Sequence, residues 1–134
     1  SGTPAAPNGD TGGVTVTKAV PANGPWFNEL QVRLANTSAI TALAVAVVAQ
    51  RTTGVSHSGQ YNTVGGQITQ SNSSTSSAIT YQFTLGSGQT LSPATSRTFA
   101  VQTNGTGTAH PMSGDTYSVT YTAGGVTHTQ SGTF

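Results

Sequence analysis

Charge is what this chain has least of. Four Lys or Arg and three Asp or Glu in 134 residues make 5% charged side chains, where an average soluble domain carries about 25%. Nucleic acid would require clustered Lys and Arg to neutralise phosphates, and Lys18, Arg33, Arg51 and Arg97 stand singly along the sequence. The same scatter leaves no polybasic membrane anchor, and no apolar run approaches the roughly 18 to 20 residues of a helical span. Neither nucleic acid nor a membrane is expected as a partner. Cysteine is absent, which removes disulfides and thiolate metal sites and says nothing about redox compartment.

Hydroxyl groups stand where charge is missing: 25 Thr and 15 Ser, beside 17 Gly. A surface so composed is neutral and hydrogen-bonding, and carbohydrate is the largest class of neutral polar partner. With a net charge of +1 and 34% hydrophobic residues rich in Val, the chain has the composition of a folded domain rather than a disordered one. Its length fits one domain, able to bury a core without staples. The opening SGTPAAPNGDTGG has Pro, Gly and Ala with nothing to bury, so residues 1–13 read as a linker remnant and 14–134 as the domain. A linker implies a further domain upstream.

From Val14 onward the hydrophobic period is 2. Leu30, Val32 and Leu34 alternate with Gln31 and Arg33; Ile79, Tyr81, Phe83 and Leu85 alternate with Thr80, Gln82 and Thr84; Phe99 and Val101, then Tyr117, Val119 and Tyr121, repeat the pattern. Residues 42–49 are rich enough in Ala for a helix, but their Val content and Thr-rich flanks favour a buried strand. Breaks fall at Asn23-Gly24-Pro25, Gly65-Gly66, Gly86-Ser87-Gly88 and Asn104-Gly105, and Ala123-Gly124-Gly125 reads as a three-residue hairpin loop. The expected fold is all-β: an antiparallel sandwich of about seven or eight strands, immunoglobulin-like or jelly-roll-like. The stretch from Gln50 to Ser77 lacks alternation and reads as a long loop, where binding commonly resides.

Glycosidic hydrolysis needs two flanking carboxyl groups, and the chain offers Asp10, Glu29 and Asp115 in total. Asp10 falls in the linker, so Glu29 and Asp115 would have to be the pair, and Asp115 in SGDT has an ordinary turn setting. His57, His110 and His128 have no nucleophile motif beside them and no metal-ligand spacing. No enzyme and no cofactor are expected, although oxygen ligands need no motif, so a structural calcium on Asp115, Asn side chains and carbonyls stays open.

Recognition by stacking and hydrogen bonds remains. A pyranose presents a face of C–H bonds that an exposed aromatic ring can cover while amides and guanidinium groups reach its hydroxyls. Tyr81, Phe83, Phe99, Tyr117, Tyr121 and Phe134 lie in strand patterns and are assigned to packing. Trp26 follows a turn, and Tyr61 has no apolar neighbour at period 2; these two are the candidate platforms. Phe27 adjoins Trp26, and since strand neighbours face opposite ways, one of the two is expected to be buried. Gln60, Asn62 and Gln67 around Tyr61, with Arg51, are the candidate polar contacts.

The succession NELQVRLANTSAITALAVAV, LSPATSRTFAVQTNGTG and GDTYSVTY resembles the strand sequence of the cellulose-binding modules of secreted microbial glycoside hydrolases, in particular families 2, 3 and 49. In those modules an early strand ends in an Asn-Thr turn, here Asn36-Thr37, and a later one follows a Leu-x-Pro-Gly-like turn, here Leu91-Ser92-Pro93 with Ala94 in place of Gly. The likeness spans about residues 14 to 134. It implies a secreted, extracellular, monomeric, non-catalytic module that holds an upstream catalytic domain on insoluble cellulose or chitin. Family 2 modules carry several exposed Trp, whereas Trp26 is alone here. The alternative is a fibronectin-like or immunoglobulin-like spacer or adhesin domain that binds no sugar.

Overall fold

The computed structural model describes residues 12–51, 55–105, 107 and 114–134. Most of the expected linker, with Asp10, and also His110 lie outside these. Among the described residues there are nine strands: β1 (Val14–Asn23), β2 (Phe27–Asn36), β3 (Ile40–Gln50), β4 (Ser56–Asn62), β5 (Ile68–Ser74), β6 (Ala78–Leu85), β7 (Ala94–Asn104), β8 (Thr116–Ala123) and β9 (Val126–Thr133). They form two antiparallel sheets, one ordered β1-β2-β7-β4 and the other β5-β6-β3-β8-β9.

Period-2 sequence drives this arrangement because each strand buries one face. On β2 the even positions Asn28, Leu30, Val32 and Leu34 point inward and Phe27, Glu29 and Arg33 outward. The inward residues meet Leu43, Val45, Val47, Ile79, Tyr81, Phe83, Val119 and Tyr121 from the five-stranded sheet. Phe83 and Phe99 lock the two layers with an edge-on contact, ring centroids 5.3 Å apart. Tyr81, Phe83, Phe99 and Tyr121 are fully buried, as their strand positions predict, while Tyr117 and Phe134 pack edge to face at the margin of the core.

The spatial order matches a variable-type immunoglobulin sandwich, A-B-E-D against G-F-C-C′-C″, with β1, β2 and β7 as A, B and E and with β3, β8 and β9 as C, F and G. The chain visits the three remaining positions in a different sequence: β4 takes the place of D before β5 and β6 take those of C″ and C′.

Two expectations are corrected. The stretch from Gln50 to Ser77 is not one long loop, since it contains β4 and β5, which raises the strand number to nine. Its alternation is hidden because β5 is an edge strand exposed on both faces beyond Ile68, and the inward positions of β4 are polar. The β8–β9 hairpin has a two-residue loop, Gly124-Gly125, with Ala123 paired to Val126. Both glycines take positive φ, 61° and 78°, as a tight turn matching the strand twist requires.

Candidate functional site

The outward side of the four-stranded sheet carries the exposed aromatics. Three rungs run across its centre. Phe27 on β2 faces Asn104 on β7 and Ser56 on β4; Glu29 faces Gln102 and Gly59; Gln31 faces Ala100 and Tyr61.

Tyr61 sits on the edge strand, yet its hydroxyl reaches the second strand over. Its Oη donates to Glu29 Oε2 at 3.1 Å and accepts from Gln31 Nε2 at 3.2 Å. With strands about 4.8 Å apart, β4 and β2 are separated by nearly 10 Å, so the ring must lie across β7, over Ala100. Ala100 is accordingly 0% exposed although it faces outward, and Tyr61 keeps 39% exposure. The small alanine methyl makes room for the ring, and the ring turns its other face to solvent.

Glu29 is the hub below it. Its Oε2 accepts from Gln31 as well as from Tyr61, and its Oε1 accepts from Gln102 Nε2 at 2.9 Å. Arg33 fixes the Gln31 amide by donating to its Oε1 from Nε at 3.0 Å and from Nη2 at 2.7 Å. Burial pushes the Glu29 carboxyl up, but the three bonds from Gln102, Gln31 and Tyr61 outweigh it and hold the group below its ordinary value of 4.5. Burial, with the anionic Glu29 beside it, raises the Tyr61 phenol. Gly59 leaves the Gln102 side chain its path, since a Cβ there would stand 2.5 Å from Gln102 Oε1. Underneath, Tyr81 Oη from the other sheet donates to the Gln102 carbonyl at 3.2 Å, and burial lifts that phenol to about 12.

Trp26 occupies the β1–β2 turn, 67% exposed, with Phe27 beside it at 37%. Both rings are exposed, contrary to expectation: Trp26 precedes the strand, where alternation does not yet apply, and Phe27 takes an outward position of β2. The turn is held by main-chain bonds from Gly24 N to Phe27 O, Gly105 N to Trp26 O and Gly107 N to Pro25 O, each 2.8 to 2.9 Å. A Cβ on Gly105 would meet the Pro25 carbonyl and one on Gly107 would stand 3.1 Å from the Trp26 ring, so glycine permits the close approach at both.

The other sequence candidates go elsewhere. Gln60 and Asn62 alternate with Tyr61 and turn to the opposite side of β4: Gln60 Nε2 donates to the carbonyls of Ser71 and Gln82, and Asn62 Nδ2 to Gln70 Oε1. They tie the edge of one sheet to the edge of the other. Gln67 donates to Gln89 Oε1 and the Thr90 carbonyl. Arg51 donates to the carbonyls of Val55 and Thr75. His57 Nδ1 lies 3.0 Å from Tyr81 Oη. The sequence reading thus places Trp26 and Tyr61 on or beside the exposed face and misses Phe27, Glu29, Gln31, Arg33 and Gln102. Their signal was the outward register of β2, Phe27-x-Glu29-x-Gln31-x-Arg33, set against the inward Leu30, Val32 and Leu34.

Glu29 and Asp115 are not a flanking pair. Glu29 lies on the outward side of one sheet, and Asp115 is fully buried at the start of β8 in the other, accepting Gln50 N–H at 2.7 Å. Sheets pack about 10 Å apart, so these carboxyl groups stand beyond the roughly 9.5 Å upper separation of an inverting pair. Among the described residues, no three His, Asp or Glu cluster as metal ligands, and no helix is long and apolar enough to cross a membrane.

No family model and no curated protein sequence matches the chain. Among solved structures, the chitin-binding domain of Chi18aC from Streptomyces coelicolor is similar over 75% of this chain and 88% of its own, with a TM-score of 0.45 and 20% identity. Two structures of a GH20 exo-β-N-acetylglucosaminidase from Vibrio harveyi, an inactive mutant and a complex with N-acetylglucosamine, are similar over 89% of this chain. Their TM-scores are 0.42 and 0.38 and their identities 13% and 11%, and the matched region is 17% of the length of that enzyme.

Proposed function

We propose that the outward face of the β1-β2-β7-β4 sheet binds a neutral polysaccharide, and that the protein is a non-catalytic carbohydrate-binding module. The observation that carries the reading is the exposed Tyr61, whose hydroxyl is bonded across β7 to Glu29 and Gln31 above the buried Ala100, an arrangement that lays the ring across the sheet. A flat ring fixed before binding stacks on the C–H face of a pyranose without further loss of side-chain freedom. Gln102 keeps its Oε1 and Arg33 its remaining N–H groups for sugar hydroxyls. Trp26 and Phe27 extend the apolar surface along the sheet.

The finer reading is insoluble β-1,4-glucan, cellulose in the first place with chitin as the alternative, bound by a secreted monomer. Its role is to raise the effective concentration of an attached catalytic domain at the solid. The test is depletion of the purified protein from solution by microcrystalline cellulose, chitin and an inert solid, with Tyr61→Ala alongside. Selective depletion that the folded variant loses supports the module and identifies its solid. Absence of depletion on both glycans refutes the reading in favour of a spacer domain.

A further inference from the structure

We propose that Glu29 is the positioning residue of this face: its carboxylate, shared as acceptor by Tyr61, Gln31 and Gln102, holds the Tyr61 ring down on Ala100 and so keeps the surface flat enough to stack on a sugar. The second half of this inference rests on the binding reading above; the first does not.

Three donors converge on the two oxygens of Glu29: the Tyr61 hydroxyl and the Gln31 amide on Oε2, the Gln102 amide on Oε1. The Gln31 amide cannot turn over to supply an acceptor, because its oxygen is occupied by two N–H groups of Arg33. The Tyr61 hydroxyl has its single proton on Glu29 and accepts from Gln31, so it is committed inward and offers a ligand only the ring face. An ionised carboxylate is the one side chain of this size that accepts from all three; an amide or a protonated acid places a hydrogen where a donor must sit. Tyr61 is 39% exposed, and Ala100 beneath it is a single methyl group. The tether at the hydroxyl therefore decides whether the ring lies flat or swings away from the edge strand.

The charged and titratable surroundings leave this role to Glu29. On β2, Arg33 reaches it through Gln31. On β1, Ala22 is opposite Glu29, and Lys18, opposite Val32, gives its ammonium to the Thr133 carbonyl. On β7, Arg97 pairs with Leu34 and binds the Ser92 carbonyl. On β4, Tyr61 is the tethered group and His57 contacts Tyr81. Acid therefore acts on the tether through Glu29, whose bonds hold its titration below the ordinary carboxylate range.

The test reads the ring without any ligand. A flat Tyr61 ring shifts the Ala100 methyl proton resonance upfield by its ring current, so NMR of the intact domain reports the tether directly. Glu29→Ala removes the acceptor outright, whichever way the Gln102 amide turns, Tyr61→Phe removes the donor, and both change outward residues and leave the core untouched. The expected result is an upfield methyl in the native protein that moves towards its unshifted position in both variants, and in the native protein alone as pH falls below 4.5. Adsorption to the glycan that the native protein depletes should weaken in step, about three- to tenfold, as for freeing one immobilised side chain. A methyl resonance unchanged by Glu29→Ala overturns the positioning role whatever the adsorption shows. A resonance that moves while adsorption of both variants equals that of the native protein overturns the link to binding. If the native protein adsorbs to neither glycan, the binding reading fails, and the methyl resonance still decides for or against the tether.

Discussion

Truncating Trp26 to alanine should separate adsorption from stability, because the ring projects from a turn that main-chain hydrogen bonds hold. With 67% of the residue exposed and a side chain of roughly 250 Å², about 170 Å² is open to solvent, and about half of that can face a flat solid. Removing some 80 Å² from water at about 25 cal/mol per Å² contributes about 2 kcal/mol, equivalent to roughly thirtyfold in affinity. The bonds from Gly24, Gly105 and Gly107 do not involve the indole and survive the change. What is lost on folding is the contact with Gly107, under about 1 kcal/mol for an exposed site, or less than about 5 °C in Tm at this chain length. The assays are adsorption isotherms on microcrystalline cellulose and chitin, paired with calorimetry of the same samples. An isotherm indistinguishable from that of the native protein would refute the placing of Trp26 in the binding surface. A Tm lowered by 10 °C or more, on the order of 2 kcal/mol, would refute the claim that its turn is self-sufficient.

Phe83→Ala should cost about 3 to 5 kcal/mol, since it opens a cavity in the centre of the core and removes the edge contact with Phe99, and urea unfolding would register it as a lower midpoint at similar slope. Asp115→Ala should cost about 2 kcal/mol by removing a fully buried side chain that accepts the Gln50 N–H, with amide exchange at Gln50 accelerating first. The Glu29 carboxyl is lowered on folding, so its contribution to stability is complete above the unfolded value near 4.5 and is lost as pH falls through the folded value. Thermal melts of the native protein and Glu29→Gln should therefore converge at acid pH and differ at neutral pH; a constant difference would exclude the linkage.

How far the fold can be read from sequence depends on whether a strand has an apolar side. β2, β3, β6 and β8 each carry an unbroken inward row, Leu30-Val32-Leu34, Leu43-Val45-Val47, Ile79-Tyr81-Phe83 and Val119-Tyr121, and their alternation is plain. β4 and β5 have none. Gln60 and Asn62 face inward at the open margin of the sandwich, where they bind side chains and carbonyls of the facing edge, so polarity there marks a seam rather than a loop. Tyr61 stands out because it interrupts polar sequence, and it is a strand residue instead of a loop tip. The tether was illegible for a further reason. Glu29, Gln31, Arg33 and Gln102 look like solvated outward residues on their own strands, and only the pairing of β2 with β7 and β7 with β4 makes them neighbours.

That pairing also dictates when the surface can come into being. Of the eight connections between the nine strands, only β1–β2, β5–β6 and β8–β9 are hairpins within one sheet. The strand against which β2 aligns its outward row is β7, with Phe27 opposite Asn104, and the strand that closes the other sheet against β3 is β8, with Ile40 opposite Ala123. Contacts so distant along the chain require large loops to close before they repay the lost entropy, which places such topologies among the slow folders, in milliseconds to seconds. During synthesis, β2 and β4 must wait without a sheet between them until residue 104 has emerged. Tyr61 has nothing to lie on before that moment, and the Trp26 turn lacks its bonds from Gly105 and Gly107 until the same stretch has emerged, so the whole face assembles late.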